Sequence, residues 1–176
     1  TQTDYDRNGN SLRTLQGIES GPRTNSYAYD GFDRLVRTLD PMGNTRTNHY
    51  DANGNRVSER TDGQLNDVPG GSGNVRLAES VFSYDALDRV TNRADNFFDP
   101  LTQTSIGDGQ AVTRFTYSAC SQLLSVTDDN NNRTSCTYDT ADRLLTLTDA
   151  RTNTVTYSYD PNSNRLSKTN LDLAEV

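Results

Sequence analysis

Residues 157–166, YSYDPNSNRL, set out a pattern that recurs along the chain: aromatic residues alternating with small ones, a Tyr-Asp pair, a short polar run, then an aliphatic residue. The same order appears in YAYDGFDRL, HYDANGNRV, FSYDALDRV and CTYDTADRL. Two positions before the tyrosine stands an apolar or aromatic residue in five copies (Tyr27, Phe82, Phe115, Cys136, Tyr157), and one position before stands a small or polar one (Ala28, Ser83, Thr116, Thr137, Ser158). Alternation with period two predicts a half-buried strand. After the turn, RLLTLT and LLSVT are rich in Leu, Val and Thr and predict a second strand. No stretch keeps apolar residues at i, i+3 and i+4 over three turns, so helices are not expected. The predicted fold class is all-β, built from repeated antiparallel hairpins.

Aligned on the aromatic residue, the copies fall at Tyr5, Tyr29, Tyr50, Tyr84, Tyr117, Tyr138 and Tyr159, with gaps of 24, 21, 34, 33, 21 and 21 residues. The two long gaps exceed 21 by 13 and 12 residues, and the excess maps to 62–74 and 96–109, which hold Gly, Pro and Asn and lack the pattern. These read as loop insertions, leaving residues 1–176 as a single segment of about seven units. An isolated hairpin is marginal in water, so each unit needs its neighbours, and a ribbon of about a dozen strands should curl.

Asp follows the tyrosine as Asp6, Asp30, Asp51, Asp85, Asp139 and Asp160, with Ser118 as the exception. A carboxylate at that place accepts a backbone N–H about two residues on and closes an Asx-turn. The aliphatic residue that closes the turn sits six after Tyr in four copies (Leu35, Val90, Leu123, Leu144) and seven after in three (Leu12, Val57, Leu166), a change that a β-bulge or a longer hairpin loop would absorb. Thirteen residues carry the repeat: these seven tyrosines and six aspartates.

Composition limits what such a ribbon does. Only 31% of the 176 residues are hydrophobic, below the level of an ordinary globular domain, yet nine Tyr and five Phe at regular intervals are not the composition of a disordered chain. A net charge of -7 opposes binding to phosphate backbones, so nucleic acid is not an expected partner. No apolar run reaches the length that spans a bilayer, and no leader opens the sequence, so no membrane partner is expected. Cys120 and Cys136 have no spacing that supports a bridge or a zinc site, and two free thiols are expected.

The motif YDxxG/DR(L/V) recurring at about 21 residues, with DPMGNT at 40–45 between copies, resembles the YD repeats of the rearrangement-hotspot (RHS) family. The resemblance covers nearly all of the chain, from Tyr5 to about Leu166. It implies a β-ribbon that spirals into a hollow shell, which in bacterial polymorphic toxins and insecticidal toxin complexes encloses a C-terminal toxin, and which in animals forms part of teneurin adhesion proteins. The implied partners are the rest of the same shell polypeptide and the toxin domain inside it, and the implied location is secreted or cell-surface. A shell-closing region with a DPxGL-type motif is not matched by DPMGN or DPLTQ, so self-proteolysis is not implied. The chain reads as a mid-ribbon segment whose edge strands would favour self-association.

Other chemistry is weighed against the turns. Asp6, Asn8 and Asn10, with the equivalent residues at 51–55 and 160–164, match the opening of a calcium loop, but the sixth and twelfth positions lack the Gly and Glu that such a loop needs, so no metal is expected. His49 is the only histidine and no nucleophile elbow accompanies it, so no catalytic residue and no cofactor is assigned. The glycine run at 69–73 lacks the Lys of a phosphate loop. Regular tyrosines fit either a sugar-binding platform or a stack of aromatic rings along the sheet, and the stack is the simpler expectation. The function expected is structural, enclosure of a cargo polypeptide; the alternative is a cell-surface module that binds a glycan or protein receptor.

Overall fold

The computed structural model describes residues 1–17, 21, 23–65 and 73–171. They form β1 (Gln2–Tyr5), β2 (Ser11–Gln16), β3 (Arg23–Tyr29), β4 (Leu35–Leu39), β5 (Thr45–Tyr50), β6 (Arg56–Gly63), β7 (Val75–Tyr84), β8 (Val90–Phe98), β9 (Ser105–Tyr117), β10 (Leu123–Thr127), β11 (Arg133–Tyr138), β12 (Leu144–Thr148), β13 (Thr154–Tyr159) and β14 (Arg165–Leu171). The strand order in the sheet is the chain order. The paired strands, β1 with β2, β3 with β4, β5 with β6 and β11 with β12 among them, run antiparallel, so the fold is all-β and made of successive hairpins. The chain packs as two units, Thr1–Ser83 with Ala94–Gln110, and Tyr84–Arg93 with Ala111–Val176.

One turn serves nearly every hairpin. In the turn opened by Asp6, the Asp6 N–H donates to the Asn10 carbonyl (2.9 Å) and the Gly9 N–H donates back to the Asp6 carbonyl (3.2 Å). The same two bonds close the turns opened by Asp30, Asp51, Asp85, Ser118, Asp139 and Asp160, and also those on the opposite side opened by Asp40, Asp128 and Asp149. The fourth residue of each turn has positive φ: Gly9, Gly43 and Gly54, but also Asp33, Asp88, Ser121, Asn131, Asp142, Thr152 and Ser163. A 1→4 bond followed by a left-handed residue is the three-residue hairpin loop with its G1 bulge, whose twist matches the flanking strands.

The two turn lengths inferred from the aliphatic residue do not exist. Tyrosine pairs with the residue six after it whether that residue is Leu (Tyr29↔Leu35, Tyr117↔Leu123, Tyr138↔Leu144) or polar (Tyr5↔Ser11, Tyr50↔Arg56, Tyr159↔Arg165). The residue before tyrosine then pairs with the one eight after it, as in Ala28↔Arg37 and Ser158↔Ser167, so the seventh residue is a bulge in each of these hairpins. Two residues face one partner there, and an aliphatic side chain serves at either of the two positions. What varies is the side chain, at constant backbone register.

Pleating sorts the two faces. The residues two before tyrosine lie half-buried on one face, with Phe115 opposite Val126 and Cys136 opposite Leu147. The next position, on the other face, carries paired hydroxyls across the bulge: Thr116 with Ser125 (2.7 Å), Thr137 with Thr146 (2.6 Å) and Ser158 with Ser167 (2.6 Å). Apolar side chains are mostly half-buried, and Phe98, 8% exposed, is the buried one among the described residues. A low apolar fraction suits this architecture, in which stability is distributed over ladder bonds and neighbour contacts.

The stretch 96–109 is strand on both sides of a turn at 99–104, so its extra residues lengthen the β8–β9 hairpin. Of the stretch 62–74, residues 66–72 lie outside the described residues, as does most of the glycine run at 69–73. Near the β8 end, the Arg76 guanidinium lies 3.9 Å from the centroid of Phe98 and pairs with Glu79 (2.8 Å), which also accepts from the Asn96 amide (2.9 Å).

Candidate functional site: the row of Tyr-Asp turns

Within each unit, the residues that carry the repeat line one side of its hairpins. Each opening carboxylate works inside its own turn first. Asp6 Oδ1 accepts from the N–H of Asn8 (2.9 Å) and of Asn10 (2.8 Å), and the same pair of bonds recurs at Asp30, Asp51, Asp85 and Asp139. At Asp160 the bond from the Asn164 N–H is 2.8 Å. Ser118 replaces the carboxylate with a hydroxyl that accepts from the Gln122 N–H (3.1 Å).

The second carboxylate oxygen is held by the fifth residue of the turn, and here the turns divide. In the turns opened by Asp30, Asp85 and Asp139 it is arginine: Arg34, Arg89 and Arg143 donate Nε to the carboxylate at 2.8, 2.8 and 2.7 Å. In those opened by Asp6, Asp51 and Asp160 it is the amide of Asn10, Asn55 or Asn164, at 3.1, 3.1 and 2.9 Å. Gln122 holds that place in the turn opened by Ser118. The two types alternate along the chain: Asn10, Arg34, Asn55, Arg89, Gln122, Arg143, Asn164.

Alternation has a geometric use. Each arginine reaches the next turn: Arg34 Nη1 donates to the Asp51 carbonyl (3.0 Å), Arg89 Nη1 to the Ser118 carbonyl (2.8 Å) and Arg143 Nη1 to the Asp160 carbonyl (2.9 Å). On the way the guanidinium covers the tyrosine of that next hairpin, 4.7 Å from Tyr50, 4.8 Å from Tyr117 and 4.8 Å from Tyr159. Amide turns reach forward differently. Asn8 and Asn10 donate to Asp33 Oδ1 (2.8 and 2.7 Å), and Gln122 to Asp142 Oδ1 (2.7 Å), the acceptor in both cases being the left-handed Asp of an arginine-type turn. Phenol groups add a third tie, from Tyr50 to the Leu35 carbonyl (3.0 Å), Tyr138 to Leu123 (3.0 Å) and Tyr159 to Leu144 (2.9 Å).

The expected stack of tyrosine on tyrosine is therefore replaced, at these three rings, by tyrosine under arginine. Equivalent positions in successive hairpins are two strands apart, roughly 10 Å, beyond the ~4.5–7 Å reach of an aromatic pair. A guanidinium bridges that distance and gains from the ring face as well as from the carbonyl. Sequence reasoning missed Arg34, Arg89 and Arg143. Their signal was the alternation of Arg with Asn or Gln five after tyrosine, which a 21-residue period averages away. Asn48 was missed too: at the place of Cys136 or Tyr157, it is 7% exposed, donates to the Leu35 carbonyl (3.0 Å), and its Oδ1 has no protein partner.

Electrostatics follow from the turn bonds. The Arg34 and Arg89 side chains hold Asp30 and Asp85 below the ordinary carboxylate value of 3.8. The Asn amides do the same for Asp6, Asp128 and Asp160, and the Arg143 N–H leads the effect at Asp139. At Asp51 burial pushes the other way and is the largest single influence, but the hydrogen bonds together outweigh it. Burial pushes the phenols of Tyr29 and Tyr138 upward.

The calcium-like set Asp6, Asn8 and Asn10 is engaged in this network, the carboxylate within its turn and the amides on Asp33. Among the described residues no group of three or more His, Cys, Asp or Glu side chains is placed to hold a metal ion. His49 Nδ1 lies 3.0 Å from Ser58 Oγ, in the position where other hairpins pair two hydroxyls. Cys120, in a turn, and Cys136, in β11, are free thiols.

The family model described as RHS Repeat matches residues 29–65 and 138–172. Comparison with curated proteins finds no match. Among solved structures, the chain is similar to a crystal structure of TcdB2-TccC3 without its hypervariable C-terminal region, at 15% identity and a TM-score of 0.48 over 98% of this chain and 11% of that one. It is also similar to the Tc holotoxin pore of Photorhabdus luminescens, at 17% identity and a TM-score of 0.45 over 85% of this chain and 9% of that one. The chain thus spans about a tenth of the length of the structures it matches. The family model thus lies on two sets of the Tyr-Asp hairpins that repeat from Tyr5 to Leu166, and the chain carries RHS repeats at residues 29–65 and 138–172.

Proposed function

We propose that the ribbon is a structural, non-catalytic wall segment of an RHS shell, whose work is to enclose a cargo polypeptide, a toxin domain of the same polypeptide, until delivery outside the producing cell. The observation that carries this reading is where the repeated polar groups go. Asp closes the turn, Arg or Asn joins it to the next turn, and the tyrosine hydroxyl joins the next hairpin to the last. Each repeat thereby adds wall, and its polar chemistry is directed at its own neighbours. The spiral, the enclosure and the secreted location all belong to this proposal, and they draw on the family and on the hairpin chemistry together.

A photo-crosslinking residue tests it in the protein expressed from its complete reading frame. Placed at Phe115 or Tyr157 on one face, and at Thr116 or Ser158 on the other, it should capture a non-repeat polypeptide from one face only. Capture from both faces equally, or from neither, contradicts enclosure.

One observation favours a second reading, a receptor-binding module. The lengthened β8–β9 hairpin presents Leu101 at 79% and Ile106 at 57% exposure, more apolar surface than a wall needs. Deleting 99–104 together with the ends of β8 and β9 would abolish receptor binding while leaving the other hairpins folded if this reading holds.

A further inference from the structure

The lengthened β8–β9 hairpin, with Arg76 of β7, lines an open hollow of about 230 Å³ that lies wholly in the unit Thr1–Ser83 with Ala94–Gln110. β9 bends there. Gly109 has φ 88, and a Cβ on it would lie 3.1 Å from Ser105 Cβ and Oγ, so a side chain would push Ser105 out of the lining that it now joins.

Two charged side chains line the hollow, and they differ in what they already hold. Arg76 pairs with Glu79 (2.8 Å) and lies over the Phe98 ring. Asp108 accepts only the Gln110 N–H, on Oδ1 at 3.3 Å, and among the described residues no cation pairs with it. With Arg76 offset by Glu79, the hollow carries one negative charge in excess. Asn96 spends its amide N–H on Glu79 (2.9 Å) and keeps Oδ1 as an acceptor, Ser105 adds a hydroxyl, and the Phe97 ring is 50% exposed.

We propose that this hollow binds an alkylammonium group, arriving as a lysine side chain of a partner polypeptide or as a free amine. Asp108 Oδ2 is the counter-ion, Asn96 Oδ1 and Ser105 Oγ are the further acceptors, and the Phe97 ring meets the cation and its methylenes. Three separate oxygens match the three donors of an ammonium, a compact point charge. A guanidinium asks for both oxygens of one carboxylate, and one oxygen of Asp108 is already taken by Gln110. A metal ion would find a single carboxylate where it needs several oxygen ligands. The site goes beyond both readings of the ribbon, since it uses neither the repeated turns nor Leu101 and Ile106.

The full chain, labelled with nitrogen-15, tests it by titration with butylammonium, with butanol as the neutral molecule of the same shape, and with N-acetyl-lysine methylamide, following the amide resonances of residues 105–110. Saturable shifts with both ammonium compounds and none with butanol are expected. Asp108→Asn should weaken binding about fivefold and Phe97→Leu roughly threefold. Tighter binding of the blocked lysine than of butylammonium assigns the site to a polypeptide partner, and equal or weaker binding assigns it to a free amine. Shifts with butanol equal to those with ammonium, no shifts with either ammonium compound, or indifference to Asp108→Asn or Phe97→Leu overturns the proposal. Because ammonium and butanol are compared on the unmodified chain, the test stands even if a variant fails to fold.

Discussion

The hairpins turn at two sides, and the two rows of turns share a backbone but not a chemistry. On the far side, Asp40, Asp128 and Asp149 are each held by the Asn of their own turn, Asn44, Asn132 and Asn153, at 2.8–2.9 Å. On the tyrosine side the same carboxylate is held by residues that continue into the next hairpin. The far-row carboxylates are held within their own turns, while on the tyrosine side the residue that holds the carboxylate also reaches the following hairpin. Turn formation and the tying of neighbouring hairpins are thus separable functions of one five-residue motif: Arg143 and Asn10 both hold their own carboxylate and reach the following turn, whereas Asn153 holds only its own.

Acid tests the rows together and should have the largest effect. Ten opening carboxylates, at 6, 30, 40, 51, 85, 99, 128, 139, 149 and 160, are held below 3.8 in the folded chain. A depressed value contributes stability that is present above the unfolded value near 3.8 and lost as pH falls through the folded one. Unfolding followed by circular dichroism should therefore begin below about pH 4. The turn opened by Ser118 has no carboxylate to protonate, so amide exchange at Gln122 should be the least acid-sensitive of the tyrosine row.

Phe98→Ala should cost about 3 kcal/mol by urea titration, because it empties a buried apolar site at the far end of β8 and leaves Arg76 without its ring. A loss confined to the unit Thr1–Ser83 with Ala94–Gln110 is expected. Next comes the direct contrast of rows. Arg143→Ala removes a carboxylate partner, a carbonyl bond and a ring contact, and should cost about 2 kcal/mol. Asn153→Ala, which removes a bond internal to its turn, should cost less, and 1 M salt should narrow the gap by screening the arginine.

The left-handed positions sharpen the contrast further. Thr152, in the far row, is β-branched at φ 69, and Thr152→Gly should stabilise by about 1 kcal/mol. Asp142 has φ 60 in the tyrosine row and accepts from Gln122 at 2.7 Å, so Asp142→Gly should bring no gain, the lost tie offsetting the relieved strain. Tyr159→Phe, which deletes only the bond to the Leu144 carbonyl, should cost about 1 kcal/mol. Thermal midpoints of these three variants give the comparison.

Hairpins and their spacing were legible because each is set by local signals: period-two alternation ending at Tyr, and an Asp positioned to accept from the N–H two residues on. The register was not legible from the aliphatic residue. Leu35 and Leu166 differ by one place from their tyrosines, and a constant bulge absorbs the difference without changing the turn. The arginine ties were not legible from period 21, because Arg34 acts on Tyr50 and Asp51, in the following copy, and because the ribbon alternates over two copies. The lengthened β8–β9 hairpin read as loop because Gly107, Gly109 and Pro100 are turn residues by propensity, yet the ladder overrides the glycines.

The central claim is that neighbouring hairpins are tied through arginine on tyrosine. A double-mutant cycle between Arg143→Ala and Tyr159→Leu, read by urea unfolding, tests it most directly. A coupling of about 1 kcal/mol is predicted, with Arg143→Ala and Asn153→Ala as an additive control. Additivity of Arg143 and Tyr159 to within about 0.3 kcal/mol would contradict the account.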